Sequence, residues 1–125
     1  MPTSQERTAL IVDDDKMNGQ LLSTMVARGG LVPHTASSGQ EALQVAAKLV
    51  PDIVILDIKM PDMDGYEVCR RLRQDPTTAE VPVILVTASG YQLDPTEVVE
   101  AGAQGFLVKP IRINTLLEKL TEYLG

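Results

Sequence analysis

Three aspartates stand side by side at positions 13–15, in "ALIVDDDK" (9–16), directly after a run of aliphatic residues. A fourth, Asp57, closes a second such run, "DIVILD" (52–57). Neighbouring carboxylates in a partly desolvated crevice either raise one another's pKa or recruit a cation. Hard divalent ions take oxygen ligands, and magnesium uses one or two carboxylates, several waters and a substrate phosphate. Asp13, Asp14 and Asp57 therefore make sense as a magnesium cradle with an open side. What fills the opening is an anion, for which Lys109, at the end of "GFLVK" (105–109), is a candidate partner. Thr87, near the end of "VPVILVTA" (81–88), adds a hydroxyl. Asp15 reads differently. It precedes a helical pattern, where Asp is a good N-cap.

Such chemistry requires elements that bring distant positions to one edge, and the hydrophobic pattern supplies them. "TALIVDD" (8–14) reads as a buried strand, and Met17, Leu21, Leu22 and Met25 then recur at helical spacing until Gly29-Gly30 stops the helix. "LVPHTA" (31–36) is a weak strand, and Pro33 assigns it to a sheet edge because proline cannot donate to the ladder. Ser38 with Glu41 forms a capping-box signature. The helix they open carries Ala42, Leu43, Ala46, Ala47 and Val50 on one face, and Pro51 ends it. "DIVILDI" (52–58) and "VPVILVTA" are near-continuous apolar runs, as expected of central strands covered on both faces. A helix over about 65–73 lies between them. A weak helix over about 95–102, the strand "GFLVK" and a final helix striped by Ile113, Leu116, Leu117, Leu120 and Leu124 complete the chain. Strands alternating with helices imply right-handed βαβ units, hence an α/β, doubly wound parallel sheet of five strands with five helices. Ligands of such sheets bind beyond the carboxyl ends of the strands, where Asp13, Asp14, Asp57, Thr87 and Lys109 fall.

Composition narrows the function classes. At 125 residues the chain has room for one domain, and with one Phe, three Tyr and no Trp its core must be aliphatic. The net charge of −6 disfavours direct binding to nucleic acid. A single cysteine, Cys69, excludes an internal disulfide and reads as packing. No apolar run approaches membrane-spanning length and the N-terminal segment has no apolar leader, so a cytoplasmic protein without a membrane partner is expected. His34 is the only histidine and sits on the edge strand, which excludes a histidine metal cluster. "RRLR" (70–73) reads as a solvated basic face.

Acidic residues after strand one, a lone Asp after strand three with "MPDMDG" (60–65) close behind, "TA" after strand four and "KP" after strand five resemble the receiver domain of two-component response regulators, the CheY-like fold. The resemblance covers about 7–124 of a single domain, 1–125, and implies the strand order 2-1-3-4-5. It implies that Asp57 is the phosphoacceptor, that Asp13, Asp14, Asp57 and the backbone carbonyl of Lys59 hold Mg2+ (for which Mn2+ can substitute), and that Thr87 and Lys109 contact the phosphoryl oxygens. Phe106 falls at the family's switch aromatic, and the Lys109–Pro110 bond is expected to be cis. The implied donor is a sensor histidine kinase or a histidine phosphotransfer protein. The implied output is altered binding of a downstream protein, or dimerisation, through the face of helix four, strand five and helix five. The protein is then a phosphoacceptor switch that catalyses its own phosphoryl transfer and autodephosphorylation, and no turnover enzyme.

Three alternatives bear on this reading. An aspartate-nucleophile phosphatase wants a second acid two residues after the nucleophile, where this chain has Lys59. A flavodoxin-like flavin protein wants a Gly-rich or Ser/Thr-rich phosphate loop after strand one, where this chain has carboxylates that would repel a diphosphate. A receiver domain excised from a hybrid histidine kinase or multidomain regulator would carry the same residues. The start at Met1 and the plain ending "TEYLG" favour a stand-alone protein. One local feature departs from the family. Pro95, as first helical residue after an Asp94 cap, leaves a fourth helix of only about eight residues, marginal without tertiary support. The segment 89–95 is accordingly expected to be mobile. Lys59 and Ser89 lie two residues beyond Asp57 and Thr87, where both can flank the phosphoryl group. Arg112 begins the last helix where a capping Ser, Thr or Asp is more usual.

Overall fold

Aliphatic runs long enough for one pass across a sheet alternate with capped helices. The computed structural model describes residues 6–88 and 93–125. In chain order the elements are β1 (Thr8–Val12), α1 (Lys16–Arg28), β2 (Val32–Ala36), α2 (Gly39–Leu49), β3 (Ile53–Asp57), α3 (Gly65–Gln74), β4 (Val83–Thr87), α4 (Pro95–Ala101), β5 (Gly105–Val108) and α5 (Ile113–Leu124). Every strand pair is parallel and the order is β2-β1-β3-β4-β5, as the resemblance implies. β2 lies at an edge with Pro33 opposite Ala9. The order reverses between β1 and β3, and at such a switch point the following loops diverge and open a crevice.

Side chains alternate along each strand and so feed two cores. Leu10, Val12, Val54, Leu56, Val83 and Leu85 pack with α2, α3 and α4 on one face. Ala9, Ile11, Ile53, Ile55, Ile84 and Val86 pack with α1 and α5 on the other. β3 and β4 are buried along their whole length. Cys69 is buried in the first core, and burial pushes its thiol pKa up, in keeping with packing.

Helix starts follow the expected chemistry. Asp15, Ser38, Asp64 and Asp94 accept backbone N–H groups of α1, α2, α3 and α4 respectively. Arg112 gives α5 no side-chain cap. The Ser38 box is altered: Glu41 reaches past Ser38 and accepts from the backbone N–H of Ser37 at 2.8 Å. α4 begins at Pro95 and runs seven residues. Of the segment expected to be mobile, 89–92 lies outside the described residues. Leu93 packs against the first core and Asp94 accepts from the Thr96 N–H at 2.9 Å.

Three readings of the pattern need correction. On α1 the buried residues are Gly19, Leu22 and Val26, whereas Met17 and Leu21 are exposed. On α2, Ala42 and Ala46 are buried, but Ala47 and Val50 are exposed and Val45 packs in their place. Arg73 does not belong to a solvated face. Its guanidinium donates to the Gly102 carbonyl at 2.8 and 3.0 Å, to the Thr78 carbonyl at 3.3 Å and to Gln104 Oε1 at 3.0 Å. Gln104 Oε1 also accepts the Val83 N–H, so one cluster joins α3, the end of α4 and the start of β4.

Candidate functional site at the carboxyl ends of the strands

β1 ends one residue before Asp13, β3 ends on Asp57, β4 on Thr87, and β5 one residue before Lys109. Backbone bonds extend the ladders past those ends: Asp13 N–H to the Ala36 carbonyl (3.1 Å), Ile58 N–H to Val86 (2.9 Å) and Lys109 N–H to Thr87 (2.8 Å). The side chains therefore leave from fixed backbone. Asp13, Asp57 and Thr87 are buried, while Asp14 is exposed.

Asp13, Asp14 and Asp57 each offer a carboxylate oxygen, and these lie within 4.8 Å of one another. The Asp15 N–H donates to Asp13 Oδ1 at 2.9 Å and fixes that carboxylate. Lys109 Nζ lies between the two buried acids, 3.5 Å from Asp13 Oδ2 and 3.4 Å from Asp57 Oδ2. Burial raises the Asp57 pKa above the usual carboxylate value. The Asp13 charge adds to the rise, while the Lys109 charge and hydrogen bonds from Lys109 and the Lys59 N–H oppose it. The balance still lies upward, because burial outweighs them. Two buried carboxylates and one exposed carboxylate are an oxygen donor set that suits a hard divalent ion. Asp14 and Lys59, with Ile58, Met60, Pro61 and Asp64, line an open cleft beside the cluster.

Phe106 is 40% exposed and shares its side of the sheet with its ladder neighbour Leu85. Thr87 pairs in register with Val108, not with Phe106. The Lys109–Pro110 peptide is cis. Ser89 lies outside the described residues. Two further residues shape the site. Gly65 approaches β3 so closely that a Cβ there would stand 2.7 Å from the Asp57 carbonyl oxygen. Asp62 accepts the backbone N–H groups of Gly39 and Gln40, which hold its carboxyl below the usual range. Both residues lie in "MPDMDG", but the hydrogen-bond partners of Asp62 are 22 and 23 positions away, beyond any local pattern.

Residues 9–121 match the response regulator receiver domain. The chain belongs to this family. Receiver domains are phosphoacceptor signalling switches and not turnover enzymes. The chain is 45% identical to the response regulator PleD of Caulobacter vibrioides over 82% of its own length, and spans only 22% of PleD. It is 31% identical to the polar-differentiation response regulator DivK of Brucella ovis, over 95% of this chain and 97% of DivK. The structure of the chemotaxis response regulator CheY4 of Vibrio cholerae superposes with a TM-score of 0.87 at 32% identity, covering 95% of this chain and 99% of that one. Among the described residues no helix of this receiver domain is long and apolar enough to cross a membrane.

Proposed function

We propose that this single receiver domain takes a phosphoryl group from a histidine kinase or histidine phosphotransfer protein onto Asp57. The observation that supports it best is the geometry at the strand ends, where the buried Asp57 carboxylate lies 3.4 Å from Lys109 Nζ and its oxygen within 4.8 Å of those of Asp13 and Asp14. Asp13, Asp14, Asp57 and the Lys59 backbone carbonyl would hold Mg2+. When bound, the ion offsets the repulsion between the carboxylates and an incoming phosphoryl group. A carboxylate oxygen of Asp57 attacks phosphorus while the bond from phosphorus to the donor imidazole nitrogen breaks, giving an acyl phosphate. Transfer through a loose transition state needs positioning and charge stabilisation, which Lys109 provides by turning from the carboxylates to a phosphoryl oxygen. Thr87 donates its hydroxyl to another.

The product gains roughly 1.5 to 2 negative charges at the site. That charge draws Thr87 inward, and the Phe106 ring takes the space it leaves. The α4–β5–α5 face then repacks and changes its affinity for a downstream protein or a second copy. A receiver domain belonging to a longer regulator or hybrid kinase would use the same steps. Incubation with acetyl phosphate and Mg2+ tests the proposal. The wild type should gain the mass of one phosphoryl group and Asp57→Asn should not; equal gain in both would reject Asp57. Lys59, next in line along the open cleft, is proposed to slow the attacking water. Lys59→Ala should then shorten the acyl-phosphate lifetime several-fold, and an unchanged rate rejects that role.

A further inference from the structure

The geometry points to Asp62 as a positioning residue that holds the β3–α3 loop in shape for metal binding by clasping it to the N-terminus of α2. The inference rests on the proposed Mg2+ site and adds a residue that touches neither ion nor phosphoryl group.

The loop spans 58–64 and is fixed at both ends. At its base the Gly65 N–H donates to the Ile58 carbonyl at 2.8 Å, and Gly65 sits against the Asp57 backbone with no room for a Cβ. At its tip Asp62 accepts from the Gly39 N–H at 3.0 Å through Oδ1 and from the Gln40 N–H at 2.9 Å through Oδ2. Those two donors are the first N–H groups of α2 and have no partner inside the helix. The Ser38 hydroxyl caps the helix by accepting from the Glu41 N–H, so Asp62 serves the two N–H groups before it. The positive end of the helix favours a carboxylate at this point. Met63 follows and fills the space over Gly39, where a Cβ would collide with Met63 Cγ.

Between the two anchors run only Lys59, Met60 and Pro61, the last with φ fixed by its ring. A side-chain ligand can adjust its rotamer to meet an ion. A backbone carbonyl such as that of Lys59 can be aimed only by fixing the chain on either side of it. Gly65 fixes one side and Asp62 the other. Losing a partner that orients a metal ligand without touching the metal typically costs about 10–100-fold in affinity. The clasp also ties α2 to the loop that flanks Asp57.

The test compares the wild-type chain with Asp62→Ala and Asp62→Asn, following Mg2+ affinity by calorimetry and thermal unfolding with and without Mg2+. Asp62→Ala should weaken Mg2+ binding about tenfold and shrink the Mg2+-induced rise in Tm. Asp62→Asn keeps one acceptor oxygen and should recover part of the loss. Phosphorylation by acetyl phosphate should fall at low Mg2+ and return at saturating Mg2+. A lower Tm with wild-type Mg2+ affinity would make Asp62 a helix cap alone and overturn the inference. Should Asp62→Ala not fold, an unchanged affinity in Asp62→Asn overturns it equally. A wild type that binds no Mg2+ brings down the proposed site as well, which separates the two failures.

Discussion

Asp57 carries a conflict that can be measured without any phosphodonor. Its folded pKa is raised by burial and by Asp13, so protonation favours the folded state. That stabilisation is fully present below the ordinary value of 3.8 and is lost as pH rises through the raised folded value. At neutral pH the ionised carboxylate therefore burdens the metal-free protein. Asp57→Asn should raise Tm at pH 7 in the presence of EDTA, with the gain shrinking toward pH 3. Equal gains at both pH values would assign the effect to something other than ionisation. Asp62 has the opposite sign. Two backbone donors depress its pKa, so its contribution is present above 3.8 and lost as pH falls through the lower folded value. Gly65 tests the same neighbourhood sterically. A methyl group there meets the Asp57–Ile58 peptide, with the Asp57 carbonyl oxygen at 2.7 Å, Ile58 Cα at 2.9 Å and the Asp57 carbonyl carbon at 3.2 Å. Backbone cannot rotate away as a side chain can, so Gly65→Ala should cost about 1–3 kcal/mol in denaturant unfolding and weaken Mg2+ binding together with it.

At the scale of elements, the sequence states what is local and hides what is not. The five strands and the caps at Asp15 and Asp94 were legible because run length, β-branching and N-cap chemistry act within a few residues. The carboxyl-end positions of Asp13, Asp57, Thr87 and Lys109 followed from strand ends and the parallel topology. Met17 and Leu21 misled because helical periodicity marks an apolar stripe without saying whether the fold has a neighbour to cover it. Arg73 misled for the converse reason: its partners, Gly102 and Gln104, are 29 and 31 positions away. The consequence for stability is direct. Arg73 holds three acceptors with a planar fork, and hydrogen bonds to charged groups contribute about 1.5–3 kcal/mol each at most. Arg73→Ala should cost about 2–3 kcal/mol in equilibrium unfolding. Arg73→Lys should recover little, because a lysine ammonium cannot reproduce the fork geometry. A surface arginine with no structural role would cost almost nothing. That outcome would show that the α3–α4 junction is held by packing of Val98 and Ala101 alone.

Across the whole molecule, the proposed metal site would couple ion binding to folding. The chain carries a net charge of −6 and gathers carboxylate oxygens of three of its acids within 4.8 Å of one another, an arrangement the unfolded chain cannot reproduce because Asp57 lies far from Asp13 and Asp14 in sequence. An ion that binds only the folded state stabilises it by an amount set by its concentration relative to Kd. At a hundredfold excess over Kd that amount is about 2.7 kcal/mol. For a domain of this size each kcal/mol moves the unfolding midpoint by roughly 4 °C, so saturating Mg2+ should raise Tm by about 10 °C. General screening of the surface charge produces a competing effect, but it depends on ionic strength and not on the ion's identity. MgCl2 and NaCl at equal ionic strength therefore separate the two, and the excess with MgCl2 should rise with the logarithm of its concentration. Asp13→Ala should abolish that excess while leaving the NaCl response intact. If the two salts give the same curve, Mg2+ has no specific seat at the strand ends, and the conflict at Asp57 must be met by Lys109 alone.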